Sequence, residues 1–302
     1  MMGEVNQKRK VSFITEFILF LFIMLITILL LKQLNISELL EESSNLAMYA
    51  QSDTDIKKEN ESYIKKIKDE YSINIKYGKD TEDYMGKIEG NAQYNEAIIN
   101  NNIKLIYYAL KKYPDDVFDM SRNKKYPITI VIIDKFNNNN LALASRNNLN
   151  EFRIYISNTP KFERAFHHEM YHVLEYYMSD TQKYLFASWD KLNPSNFKYE
   201  EDISLLDDKY VYKENSLIDE SNIDVSNNEI IDEENVNPYF VTKYSKVTEK
   251  EDRAEIFAEV MILNKKVKFL EEGQNIRKKV DYISEILSEC ITKEDFYFYR
   301  FL

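Results

Sequence analysis

The sequence predicts an α+β domain set behind a single N-terminal membrane-spanning helix. Three observations predict it. The first is a 21-residue apolar run, Val11 to Leu31, close to the start of a 302-residue chain. The second is a pair of short runs rich in β-branched and aromatic residues, 127–133 and 152–157, the later one leading into a helix-forming stretch. The third is apolar spacing by threes and fours over much of the remainder, with only 5 Gly and 5 Pro to interrupt it.

Residues 1–10 are polar and end in Lys8, Arg9 and Lys10. The run that follows is broken only by Ser12, Thr15, Glu16 and Thr27. At about 1.5 Å per residue, a helix of this length spans the roughly 30 Å hydrocarbon core of a bilayer. It exceeds the apolar region of a typical signal peptide, and no small-x-small site follows it closely. An uncleaved signal anchor is therefore expected, with cleavage and secretion as the alternative. The basic flank before the run, and Glu38, Glu41 and Glu42 after it, put the N-terminus in the cytoplasm. Everything beyond residue 32 is then outside the cell.

Residues 32–90 are expected to form a stalk and a helical lead-in, with Ile56, Tyr63, Ile64, Ile67 and Tyr71 as one apolar stripe. The domain itself is expected over 91–302. Ile99, Ile103, Ile106, Leu110 and Tyr113 mark a helix face that Pro114 ends. The run 127–133 reads as a buried strand, Asn137 to Asn140 as a turn, and 152–157 as a second strand. An edge strand of this small sheet is a place where an extended peptide can pair. Residues 198–235 differ in composition, with thirteen Asp or Glu against three Lys and no Gly, Pro or His. They read as a solvated insertion, with a lid over the cleft or a cation-binding loop as the alternatives.

Composition excludes some classes. A net charge of −11 is the wrong sign for a general nucleic-acid binder. The lone Cys290 cannot form an intramolecular disulfide and has no nearby His in sequence to activate it. Nothing in the sequence sets an oligomeric state.

All three histidines lie within 167–172, and His168-Glu169-x-x-His172 is an HExxH pattern. On a helix, residues four apart share a face, so two imidazoles can bind one zinc with the intervening Glu169 beside it as general base. Thr159 is the expected N-cap, Pro160 the first helical residue, and Phe162, Phe166, Val173, Leu174 and Tyr177 the apolar positions. A third ligand must come from elsewhere. Glu175 and Met178 replace the Gly and His of the metzincin continuation. His167 points roughly 100° away, and Glu175 lies about 10 Å along the axis. A distant carboxylate is therefore required, the gluzincin arrangement. Thr248 is a candidate cap for a helix placing Glu251 and Glu255 on one face. Glu251 is positioned to reach a metal, and Glu255, one turn later, to orient a ligand imidazole. Glu249 and Asp252 read as ordinary complementarity to the helix dipole.

HExxH followed by Tyr-x6-Glu-x3-Glu, here Tyr244, Glu251 and Glu255, resembles the catalytic domain shared by anthrax lethal factor and the Pro-Pro endopeptidases. The resemblance covers roughly 94–300 and implies a zincin-like fold, with the small sheet over the HExxH helix and a helical C-terminal part. It implies zinc ligands His168, His172 and Glu251, Glu169 as general base, and Tyr244 as a phenol donor to the oxyanion. The acidic insertion lengthens the His172–Glu251 interval, and the N-terminal anchor is a further departure. The expected function is thus a membrane-anchored extracellular zinc endopeptidase acting on protein or peptide substrates. A zincin-like surface module that holds zinc without cleaving is the alternative. An intramembrane protease is excluded, because its HExxH would lie within an apolar span.

Overall fold

A computed structural model describes residues 53–137, 140–147, 150–181, 186–199, 209–213 and 238–302. The apolar run 11–31 lies outside them, and among the described residues no helix is long and apolar enough to cross a membrane. Residues from Ile56 onward form one compact unit.

Helix α1 (Asp53–Tyr71) follows the expected stripe and buries Ile56, Ile67 and Tyr71. Short strands β1 (Asn74–Lys76) and β2 (Gly90–Ala92) come next. Helix α2 (Glu96–Leu110) is capped by Asn95, whose side chain accepts hydrogen bonds from the backbone N–H groups of Ala97 and Ile98. It stops shortly before Pro114, as its sequence predicts.

The sheet is larger than the two expected strands. Strand β3 (Ile128–Phe136) and strand β5 (Phe152–Ser157) run parallel, and β4 (Asn140–Arg146) lies antiparallel to β5. The order is β1-β3-β5-β4-β6, with β2 pairing β3 off this path. The stretch after Asn137 is thus a strand as well as a turn. Its Leu-Ala-Leu-Ala pattern offers small residues where bulky β-formers are the usual signal. Strand β6 (Lys209–Lys213) belongs to the acidic insertion and pairs antiparallel with β4. That much of the insertion is built into the fold.

The strands alternate as their pleat requires. Ile128, Ile130, Ile132, Ile154, Ile156, Ala142 and Ala144 join the main core, whereas Val131, Ile133, Leu143 and Tyr155 form a smaller cluster with Phe136. Helix α3 (Phe162–Thr181) packs against β4, β5, α2 and α4 (Glu249–Ile262). It starts two residues later than expected. Thr159 and Pro160 form the preceding turn, and the Thr159 carbonyl accepts from Phe162 N–H. Helix α5 (Asn275–Cys290) closes the fold against α4.

Candidate metal centre

Helix α3 is buried on nearly every side, and its buried residues include His167, His168, Glu169 and His172 as well as Phe166, Met170 and Tyr171. A helix so enclosed is normally apolar all round, so each polar group in it demands a partner. His167 finds one away from the metal face, 2.7 Å from the Tyr113 hydroxyl. Glu175 is paired with Arg253 at 2.7 Å, so its carboxylate is spent on an ion pair.

The other polar groups converge. His168 Nε2 lies 2.9 Å from Glu251 Oε2 and 3.1 Å from His172 Nε2, and His172 Nε2 is 3.5 Å from the same oxygen. Two imidazole nitrogens and a carboxylate oxygen packed this closely must share a proton or a cation. Bonds of roughly 2.0–2.1 Å from a tetrahedral zinc to N and O ligands place those atoms roughly 3.3 Å apart. The observed triangle matches that edge length, and among the described residues His168, His172 and Glu251 are the group able to hold a metal ion. Among the described residues, Glu251 Oε1 is buried with no hydrogen-bonding partner, and the ion pairs of Glu251 are with these two imidazoles. A buried carboxylate so placed fits a cation.

Local structure sets Glu251 in place. The Thr248 side chain caps α4 by accepting from Glu251 N–H at 3.2 Å. Glu251 is therefore the third helical residue, where the helix dipole favours a carboxylate. Its side chain is turned to the imidazoles.

Glu255 lies one turn further along α4. Its Oε1 lies 2.8 Å from His168 Nδ1. Two further groups, not found by reading the sequence, fix this carboxylate. Arg164 grips both its oxygens at 3.1 and 3.0 Å, and the Thr242 hydroxyl donates to Oε2 at 2.5 Å. Arg164 stands one turn before His168 on α3, a spacing that could have flagged it.

Glu169 is fully buried on the metal helix, and Ala144 N–H of β4 donates to its Oε2 at 2.5 Å. Its Oε1 has no hydrogen-bonding partner among the described residues. Burial pushes its carboxyl well above the ordinary carboxylate range, and the nearby Glu251 charge adds to this. Tyr244 begins a single 3₁₀ turn before α4, and its ring lies 5.9 Å from that of His168. Burial, then the Glu251, Glu169 and Glu255 charges, raise its phenol well above the ordinary value, so the hydroxyl keeps its proton.

Asp252 does more than complement the helix dipole. It is wholly buried, and its Oδ2 accepts from Lys279 Nζ at 2.6 Å, Tyr199 OH at 2.8 Å and Trp189 Nε1 at 3.1 Å. It stands in the first turn of α4, as the dipole favours, and is also a buried junction tying α4 to α5, to Trp189 and to the start of the insertion at Tyr199.

No protein-family profile matches the sequence, and no curated protein does. A solved structure of a candidate zinc-binding metallo-peptidase from Bacteroides caccae is similar in backbone, with a TM-score of 0.48 at 14% identity. The likeness covers 82% of this chain and 91% of that one.

Proposed function

We propose that this protein is a zinc-dependent endopeptidase of the gluzincin type. The observation that carries the reading is the triangle of His168, His172 and Glu251 ligand atoms with the Glu169 carboxylate on the same helix. His168, His172 and Glu251 hold the ion. When bound, zinc supplies Lewis acidity, lowering the pKa of a water and polarising a carbonyl. Glu169 accepts the proton of the attacking water through its free Oε1 and returns it to the leaving amine. The Tyr244 hydroxyl donates a hydrogen bond to the oxygen on which negative charge develops, where a preorganised donor contributes most. Glu255, braced by Arg164 and Thr242, orients His168.

A zinc-binding module that does not cleave uses the same ligands. The burial of His168, His172 and Glu251 favours that second reading. The two part at Glu169, which only the peptidase needs. Chelator-sensitive cleavage of a peptide library by the full-length protein tests the choice.

The proposal includes the location expected from the sequence. Val11 to Leu31 anchors the chain with its N-terminus in the cytoplasm and the peptidase domain outside, where it acts on protein or peptide substrates.

A further inference from the structure

Arg164, His168, His172 and Glu175 follow one another along α3 at spacings of four, four and three, and all four are buried. At about 100° per residue they fall within about 80° of one another, so they form a single polar stripe. The stripe carries the two imidazoles in its middle and a charged residue at each end. Both ends are tied to α4. Arg164 grips the two oxygens of Glu255 at 3.1 and 3.0 Å. Glu175 in turn accepts from Arg253 Nη2 at 2.7 Å and from Nε at 3.1 Å. The metal site thus lies between two bidentate ion pairs of opposite sense, with α3 supplying the cation of one and the anion of the other.

The Arg164–Glu255 pair acts on His168 directly, through Glu255. The second pair reaches the site through the helices, because Glu175 stands three residues after His172 and Arg253 two after Glu251. Resting on the zinc site of the reading above, we infer that Glu175 and Arg253 are positioning residues for the metal centre. Their ion pair fixes the rotation and height of α4 against α3, and so sets where Glu251 meets the two imidazoles before any metal binds.

Residues two apart leave a helix about 200° apart, so Arg253 starts from the side of α4 away from Glu251 and reaches round to α3. A helix held from two sides cannot turn about its axis without straining one of the pairs. At a side-chain radius of roughly 5–6 Å, a turn of about 20° carries the Glu251 carboxylate about 2 Å, the length of a zinc–oxygen bond. Two parallel N–H···O bonds resist such a turn, since they fix the plane of the guanidinium as well as its distance. Phe186 lies over that plane at 4.1 Å, and Glu249 stands 3.6 Å from Nη1.

The simpler role for the pair is stability, each charge neutralising the other. That role asks only for charge balance, and apolar residues of similar volume often serve a buried position as well. The two roles part at Arg253→Lys, which keeps the cation but replaces the fork by a point charge. A second variant, Glu175→Leu with Arg253→Met, removes both charges together. Each is made in the full-length protein. The probes are zinc, titrated against a chelator, and cobalt(II), whose visible absorption reports the number and geometry of its ligands. Zinc affinity should fall by about 10- to 100-fold in both variants, the usual cost of disturbing an outer partner, and the cobalt bands should change. The apolar pair should melt close to the unmodified chain and still lose affinity. Where a peptide is cleaved, kcat should fall with KM little changed. Folded variants with unchanged zinc affinity and an unchanged cobalt spectrum overturn the inference, whatever their melting temperatures. Weakened zinc and altered cobalt bands, with no peptide cleaved by the unmodified chain, uphold the positioning role and remove the peptidase reading instead. Should neither variant fold, amide hydrogen exchange on the unmodified chain decides. A pair that sets α4 in advance leaves the amides of 252–256 as protected without zinc as with it. Protection that arises only on zinc loading overturns the inference.

Discussion

His168 Nδ1 lies 2.8 Å from Glu255 Oε1, while its Nε2 faces Glu251 at 2.9 Å. A carboxylate can only accept, so Nδ1 carries a proton toward Glu255, which leaves Nε2 as the nitrogen that would ligate a metal held between it and Glu251. Glu251 and Glu255 are therefore assigned different jobs one turn apart. Glu251→Ala should abolish stoichiometric zinc, whereas Glu249→Ala should not. Glu255→Gln and Arg164→Ala should weaken zinc by about 10- to 100-fold, the usual cost of losing an outer partner. Competition titration against a chelator measures all four. If Glu251→Ala keeps the metal and Glu255→Gln loses it, the assignment is one turn out.

The buried Asp252–Lys279 pair yields a stability prediction. Both side chains are fully enclosed and 2.6 Å apart. Burial pushes the Asp252 carboxyl up and the Lys279 amine down, and each is countered by the other's charge. Removing one member leaves the other charge uncompensated, at a cost of about 3–5 kcal/mol. Lys279→Met should lower the urea unfolding free energy by about that amount. Adding Asp252→Asn should recover much of it. A double variant no more stable than Lys279→Met would show that Asp252 is not the source of the loss.

These two networks mark where sequence reading stopped. The HExxH spacing, the Thr248 cap and the Glu251/Glu255 repeat are local and helical, so they can be read directly from the chain. The runs 127–133 and 152–157 are legible because their β-branched and aromatic content is also local. Arg164, Thr242, Lys279 and Trp189 reach their partners across 91, 13, 27 and 63 positions, and no local pattern announces such contacts. Strand β6 was hidden by its acidic surroundings, and β4 by its alanines.

Tyr244 offers a test of the charge-stabilising donor. Its phenol is buried beside Glu251 and His168, so it is not merely one of 23 scattered tyrosines. Tyr244→Phe removes only a hydroxyl. Loss of one oxyanion donor costs about 10²–10³ in turnover. The effect should fall on kcat, with KM nearly unchanged and zinc retained. A change confined to KM would remove Tyr244 from this role.

The topology proposal rests on Lys8, Arg9 and Lys10 before the run from Val11 to Leu31. Protease added to intact cells should remove the domain and leave a short N-terminal stub. Labelling of residues beyond 40 by a probe confined to the cytoplasm would reverse the assignment.

The most direct measurement is turnover of a cleavable peptide by the full-length protein and by Glu169→Gln, with zinc content and melting temperature followed in parallel. The unmodified protein should carry about one zinc per chain and lose cleavage on chelation. Glu169→Gln should keep zinc and fold, and cleave about 10²–10⁴-fold more slowly, the usual worth of a general base. Zinc-loaded, folded protein that cleaves nothing in a broad peptide library, or cleavage untouched by Glu169→Gln, would contradict the peptidase account.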